Sequence, residues 1–126
     1  MVVVDASLLI DAALNTPRSV LVLSGIEMHA PVTIDAEVLH GVRRAAFIHK
    51  MSDEEAEAAI ELVREIPLTR HWLKPFLSRM WALRHNVTAY DAGYVALAES
   101  LNVPLLTRDR RLSQSSGHRA RIEYID

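Results

Sequence analysis

Met1-Val2-Val3-Val4-Asp5-Ala6-Ser7 opens the chain with three consecutive β-branched residues closed by a carboxylate. A strand with one wet face would alternate apolar and polar side chains. An unbroken apolar run instead suits a strand covered on both faces, as in a parallel sheet. A run of the same kind returns at Val103-Pro104-Leu105-Leu106-Thr107, and an aspartate, Asp109, again stands just beyond it. Parallel neighbours need crossover connections, so helices are expected between such strands.

The intervening sequence supplies them. Ser7 to Leu14 reads as a short helix, and Thr16-Pro17 starts a second, with Thr as N-cap and Pro at the first helical position, ending near Glu27. Ala30 to Ile34 is the next predicted strand. A helix from Asp35 to Lys50 follows, with Val38, Val42, Ala45 and Ala46 at helical spacing. Ser52-x-x-Glu55 is a capping box opening an acidic helix that runs to Ile66. Ile66 to Thr69 is read as a strand and Trp72 to His85 as a helix, in which Pro75 is tolerated only in the first turn. Tyr90 to Ser100 is a helix closed by Asn102, and Ile122 to Ile125 a final strand. This alternation predicts a three-layer α/β/α architecture around an open, mostly parallel sheet of about five strands.

Composition fits that architecture. The 126 residues are half hydrophobic and 24% charged, ordinary values for a globular protein and remote from those of disordered chains. The length suits one domain over residues 1–126. Absence of cysteine excludes disulfide scaffolds, zinc ribbons, iron–sulfur clusters and thiol nucleophiles. Apolar-rich runs such as Val20 to Ile26 fall far short of the roughly 20 residues that span a bilayer. The first residues lack a signal peptide's basic and apolar regions. A soluble, cytoplasmic protein is therefore expected, with no membrane partner.

The formal net charge of −2 conceals an uneven distribution. Asp53, Glu54, Glu55, Glu57, Glu61 and Glu65 crowd one segment, whereas Arg108, Arg110, Arg111, Arg119 and Arg121 crowd the end of the chain. A basic cluster of this kind is either a solvated surface or a phosphate-contacting patch.

Ligands in open α/β sheets collect beyond the carboxyl ends of the strands. Asp5 ends the first strand and Asp109 follows the Val103 strand. Glu37 and Asp91 occupy the first turns of their helices. Read singly, each has an ordinary role: Asp5 and Asp109 as helix caps, Glu37 facing the helix macrodipole, Asp91 in the capping box Thr88-x-x-Asp91. As a set they are harder to explain, because Glu37 and Asp91 sit in largely apolar surroundings, where a carboxylate is costly unless paired or bound to a cation. Several converging carboxylates without sulfur suit a hard cation, magnesium or manganese, which keeps waters and open coordination positions. Such an ion can lower the pKa of a water and clamp a phosphate.

The motifs that carry these acids resemble those of a known family. Val-Val-Asp5-Ala-Ser7, Ile-Asp-Ala-Glu37-Val-Leu, Val87-Thr88-Ala89-Tyr90-Asp91-Ala92-x-Tyr94-Val-Ala-Leu-Ala and Pro104-Leu-Leu-Thr107-x-Asp109-x-x-Leu are similar, in order and spacing, to the motifs of the PIN domain and its VapC toxin branch. The resemblance covers nearly the whole chain. It implies a PIN-like fold and a magnesium-dependent endoribonuclease that cuts structured RNA, such as transfer or ribosomal RNA, through metal-activated water. It implies an acidic quartet of Asp5, Glu37, Asp91 and Asp109, with Asp5, Asp91 and Asp109 nearest the metal and Glu37 orienting water or holding a second ion. Ser7 and Thr107 match the family's small hydroxyl positions and would orient carboxylates. A VapB-type antitoxin and a homodimeric assembly are the partners implied, and Arg108, Arg110 and Arg111 are the residues expected to meet RNA.

Other readings compete. Glu37-x-x-His40 is half of a helical di-metal motif, but no second copy exists to complete it, and the remaining histidines form no pair at metal spacing in sequence. A receiver-like signalling domain would want adjacent acids after the first strand and a lysine beyond the last. Here Asp5 stands alone and the only lysines are Lys50 and Lys74. A non-catalytic RNA- or protein-binding module, with the acids serving as caps, is the remaining alternative. Trp72, Phe76 and Trp81 recur with Leu73, Leu77, Met80 and Leu83 at helical spacing and are read as core or dimer-interface packing. Met51, Ala56 and Ile60 are read as apolar residues able to clamp an antitoxin helix.

Overall fold

A computed structural model describes residues 1–14 and 17–126. The elements run β1 (Val2–Val4), α1 (Ala6–Ala13), α2 (Pro17–Leu23), β2 (Met28–Pro31), α3 (Ile34–His49), α4 (Asp53–Glu65), β3 (Thr69–His71), a 3₁₀ turn (Lys74–Phe76), α5 (Leu77–Ala82), α6 (Ala89–Leu101), β4 (Leu105–Thr107), α7 (Arg110–Ser113) and β5 (Ile122–Tyr124). All five strands pair in parallel, in the order β3-β2-β1-β4-β5. The opening run lies at the centre: Val3 and Val4 pair with Leu105 and Leu106 of β4, and none of the four is more than 4% exposed.

Helices close both faces of the sheet. On one, α1 packs against α2, α3 and α4; on the other, α6 lies across β1, β2 and β4 with α5 beside it. Every residue of α6 from Ala92 to Ala98 is buried, which explains why this helix is apolar almost all round rather than striped. Its ends follow local chemistry. Thr88 Oγ1 accepts the Asp91 N–H at 3.2 Å, and Asn102 takes the left-handed C-cap conformation with φ 54°. Ser52 caps α4 in the same way, its hydroxyl accepting the Glu55 N–H at 3.1 Å. Among the described residues no helix is long and apolar enough to cross a membrane.

Several boundaries differ from the sequence reading, each for a local reason. Thr16, the expected cap of the second helix, lies outside the described residues. That helix stops at Leu23 rather than Glu27 because Gly25 turns the chain with φ 74°. The second strand begins at Met28, in register with Val2, and ends at Pro31 instead of running from Ala30 to Ile34. The third is Thr69–His71 rather than Ile66–Thr69, because Ile66 closes α4 and Pro67 has no N–H to give a ladder. Its residues are at least partly exposed at the sheet edge, so no apolar run announced it. The helix expected from Trp72 to His85 is split: the turn containing Pro75 precedes a short α5 that ends at Ala82. Trp72 and Trp81 are 77% and 68% exposed, so the core reading of these two side chains is wrong, while Leu83 is fully buried. Met51 and Ile60 face two different hollows, so they do not form one clamp.

Candidate active site

From β1 the chain builds β2 and β3 to one side, then crosses to β4 and β5 on the other. Connections leaving the carboxyl ends of β1 and β4 therefore diverge, and a crevice opens between them. Asp5 directly follows β1, and Asp109 lies two residues past β4. Glu37 sits in the first turn of α3 and Asp91 in the first turn of α6. A cleft of about 680 Å³ at this edge is lined by all four acids, together with Ser7, Thr33, His40 and Arg44. Residues 104 positions apart in sequence thus meet because the fold switches direction at this point.

Asp5 does not cap α1; its carboxylate makes no bond to the helix backbone. Instead, Oδ2 accepts from the Ser7 hydroxyl at 2.6 Å and from the Thr107 hydroxyl at 2.8 Å. Each hydroxyl accepts in turn from the β4–α7 backbone: the Arg108 N–H reaches Ser7 Oγ and the Asp109 N–H reaches Thr107 Oγ1, both at 2.9 Å. Backbone amides thereby orient the hydroxyls, and the hydroxyls fix a buried carboxylate. Ser7 and Thr107 stand where the family motif would place positioning residues.

Asp109 does cap α7, through Oδ1 and the N–H groups of Arg111 and Leu112 at 2.9 and 3.3 Å. The capping explanation therefore holds for this residue, while its side chain still borders the cleft. Asp91 is half-buried, and its carboxyl is pushed above the usual range chiefly by burial and next by the charges of Asp5 and Asp109. Glu37 is raised as well. Burial dominates, the charges of Asp5 and Asp91 add to it, and a bond from the Tyr94 hydroxyl opposes it. That bond runs from Tyr94 Oη to Glu37 Oε2 at 2.9 Å. Thr33 Oγ1 is buried at the same wall, close enough to Glu37 to favour its charged form although no well-formed hydrogen bond joins them.

These acids share a cavity and feel one another's charge. Among the described residues, however, no three His, Asp or Glu side chains are already drawn together into a cage for a cation. Like charges without a counter-ion favour separation. The donor set itself, carboxylate and hydroxyl oxygen with no sulfur, fits magnesium or manganese held partly through water.

The arginines divide. The Arg108 guanidinium pairs with Asp11 of α1, and neither residue lines the cleft. Arg110 stacks over the ring of Tyr124 at 4.3 Å. Arg111 is exposed and close enough to Asp91 to favour its charged form. Arg119 and Arg121 belong elsewhere: they reach Glu99 and Asn102 at the far end of α6. The C-terminal basic run is therefore two groups, not one patch. His29 and His71, unpaired in sequence, meet across β2 and β3 with ring nitrogens 2.8 Å apart. Tyr94, Thr33 and Arg44 were not singled out as site residues. Tyr94 follows Asp91 by three positions and Arg44 follows Glu37 by seven, spacings that share a helix face, and this is the signal that could have found these two, while Thr33 carried none.

Residues 2–117 match the PIN domain family. The chain is 42% identical to Ribonuclease VapC12 of Mycobacterium tuberculosis, covering 99% of each chain, and 41% identical to Ribonuclease VapC1 of the same organism, covering 98% of this chain and 96% of the other. It is also similar in structure to PAE2754 from Pyrobaculum aerophilum, with a TM-score of 0.67 over 96% of this chain and 87% of that one, at 20% identity. That structural likeness speaks to the fold alone.

Proposed function

The chain belongs to the PIN-domain family, in its VapC branch, and from that premise we propose that it is an endoribonuclease toxin that hydrolyses RNA phosphodiester bonds with a divalent cation, magnesium or manganese, in the cytoplasm. One observation carries the reading: four acids from four separate elements line a single cleft at the switch point of the sheet. Caps alone would not need to share a cavity.

Asp5, Asp91 and Asp109 would hold the cation, and Glu37 would orient water. When bound, the cation supplies charge neutralisation at the phosphate and a water of lowered pKa. The chain's own residues do the rest. Ser7 and Thr107 keep Asp5 Oδ2 fixed, so the carboxylate meets its ligand without reorganising. Glu37, with Oε2 held by Tyr94 and its carboxyl raised by burial, is suited to accept a proton from the attacking water. Arg108, Arg110 and Arg111 flank the fourth acid and would draw phosphates to this rim.

An antitoxin of the VapB type is the proposed inhibitor. The apolar hollow of about 570 Å³ between α1, α3 and α4, walled by Leu14, Ala45, Met51 and Leu62, fits its apolar segment. Trp72, Leu77 and Trp81, all exposed, are the proposed face of a homodimer.

The test is cleavage of total cellular RNA by purified protein, read by end sequencing, in magnesium and in excess chelator. Cleavage should stop in chelator. Asp5→Asn and Asp91→Asn should remain folded and lose at least about 100-fold in rate. Full activity in either folded variant, or in chelator, would refute the reading.

A further inference from the structure

Arg44 is exposed and lines the same cavity as the acidic quartet, and among the described residues it has no ion-pair or hydrogen-bond partner. Six other arginines are engaged: Arg70 with Asp35, Arg79 with Glu99, Arg108 with Asp11, Arg43 over Phe47, Arg84 over Trp81 and Arg110 over Tyr124, whereas Arg111, beside Asp91, shares with Arg44 an exposed side chain without an ion pair among the described residues. An exposed arginine left unpaired at the rim of a cleft rich in carboxylates is arranged for an anion that arrives from outside.

Its placement follows from α3. Glu37, Gly41 and Arg44 fall at i, i+4 and i+7, one face of the helix. Gly41 sets how near that face lies to α1, since a Cβ there would stand 2.3 Å from Ile10 Cδ1 and 2.8 Å from Cγ1. With 1.5 Å of rise per residue, Arg44 is displaced about 10 Å along the axis from Glu37. Helical side chains lean toward the N-terminus, which inclines the guanidinium back toward the acids. A cation among the carboxylates neutralises one phosphate only. The phosphates beside it on the same strand enter a negative cleft and need positive charge of their own. A planar fork with parallel N–H donors matches a phosphate's oxygens.

We propose that Arg44 binds a phosphate of the RNA strand flanking the scissile one, and so sets the strand's position along α3. The proposal rests on reading the cleft as an RNA-cleaving site. It makes Arg44 a substrate-binding residue whose loss weakens binding more than turnover.

The experiment measures binding of a short fluorescent single-stranded oligoribonucleotide in magnesium across a salt series. The Asp91→Asn background suppresses cleavage, and Arg44 is compared with Arg44→Ala and Arg44→Lys. Cleavage by wild type and Arg44→Ala is followed separately. Arg44→Ala should weaken binding about tenfold, lower the slope of log affinity against log salt by about 0.7, the single-strand value for one phosphate contact, and raise KM with kcat within about twofold. Arg44→Lys should keep the slope and recover part of the affinity. Unchanged affinity and slope in Arg44→Ala, alongside cleavage by the wild type, would overturn the Arg44 assignment and leave the ribonuclease reading standing. Arg44-dependent binding without wild-type cleavage would sink the ribonuclease reading, and with it the place of Arg44 beside a scissile phosphate, leaving Arg44 an RNA-binding residue only. Neither binding nor cleavage would sink both.

Discussion

Tyr94, itself fully buried, donates its hydroxyl to Glu37 Oε2 at 2.9 Å, joining the second turn of α6 to the first turn of α3 across the acidic cleft. A neutral donor to a half-buried carboxylate favours its charged form and so counters part of the burial that raises Glu37. Tyr94→Phe should therefore cost about 1 kcal/mol in stability and leave Glu37 protonated to higher pH. Because a proton acceptor must be ionised, the acidic limb of kcat/KM against pH should move upward, with a loss on the order of tenfold near neutrality. A limb that stays in place would show that Glu37 has no part in proton transfer.

The raised carboxyls of Glu37 and Asp91 make a prediction about the metal-free protein. In the folded state both hold their protons to a higher pH than their ordinary values of 4.5 and 3.8. As pH climbs through the window between those values and the folded ones, the unfolded chain binds fewer protons, so stability falls and stays lower above it. In chelator the protein should thus melt at a lower temperature at pH 7 than at mildly acidic pH. Asp91→Asn, which leaves the Thr88 cap of its own N–H intact, should raise Tm at pH 7. Adding magnesium should stabilise the wild type by mass action and have little effect on Asp91→Asn. Thermal melts in the two conditions decide it. A lower Tm for Asp91→Asn in chelator would return this residue to a purely structural role.

Which parts of this design were legible in the sequence follows from burial and locality. The runs Val2 to Val4 and Leu105 to Thr107 are central strands buried on both faces, so their composition alone gave them away. Asp5 and Asp109 were legible with them, because each stands within two residues of the end of its strand. β3 was displaced in the reading because an exposed edge strand needs no apolar residues. The α5 region misled for the opposite reason: Trp72 and Trp81 have helical spacing and large apolar area, yet lie on the surface. Tyr94 stood in the sequence only as a neighbour of Asp91. Its hydroxyl bond to Glu37 depends on how α6 crosses α3, a tertiary relationship with no local signature. The hydroxyl relay from Arg108 and Asp109 through Ser7 and Thr107 to Asp5 is of the same kind. The pairing of His29 with His71 also required the register of β2 on β3.

That histidine pair should tune the protein's acid tolerance. His29 Nδ1 and His71 Nε2 are 2.8 Å apart, and the opposite ring nitrogen of His29 is 3.1 Å from Glu27 Oε1. Burial, and then the neighbouring ring, hold His71 below the ordinary histidine value of 6.5. The unfolded chain therefore takes up more protons as pH falls below about 6.5, and stability drops through the window down to the folded value. His71→Gln removes that titration while keeping a polar partner for His29. Relative to His71→Gln, the wild type should lose stability between pH 7 and pH 5, read as the change in the difference between their urea midpoints. Parallel curves for the two proteins would show that the pair is inert in this range.

Glu99 offers the sharpest separation of stability from activity. It lies near the end of α6 opposite Asp91, its side chain is 2% exposed, and both its oxygens are engaged. Arg79 Nε and Nη2 donate to Oε1 and Oε2 at 2.8 and 2.9 Å, and the Arg119 N–H donates to Oε2 at 2.9 Å, tying the loop before β5 to the helix. The Arg79 fork is the main reason its carboxyl is held down to about 2, from an ordinary 4.5. A depressed carboxyl contributes its full stability above 4.5 and loses it as pH falls toward 2. Glu99→Gln preserves the shape but leaves the Arg79 guanidinium facing a neutral amide, so at pH 7 the variant should be about 2–3 kcal/mol less stable. Part of the full buried-pair effect is discounted because Arg79 is 36% exposed. The difference from wild type should shrink below pH 4.5 and nearly vanish at pH 2. At a temperature where the variant is still folded, its RNA cleavage should match the wild type's, since the change lies along the helix from the acids rather than among them. Equal unfolding free energies at pH 7 would mean that the ion pair contributes nothing. Lost cleavage in a folded variant would mean that α6 transmits its anchoring at one end to Asp91 at the other.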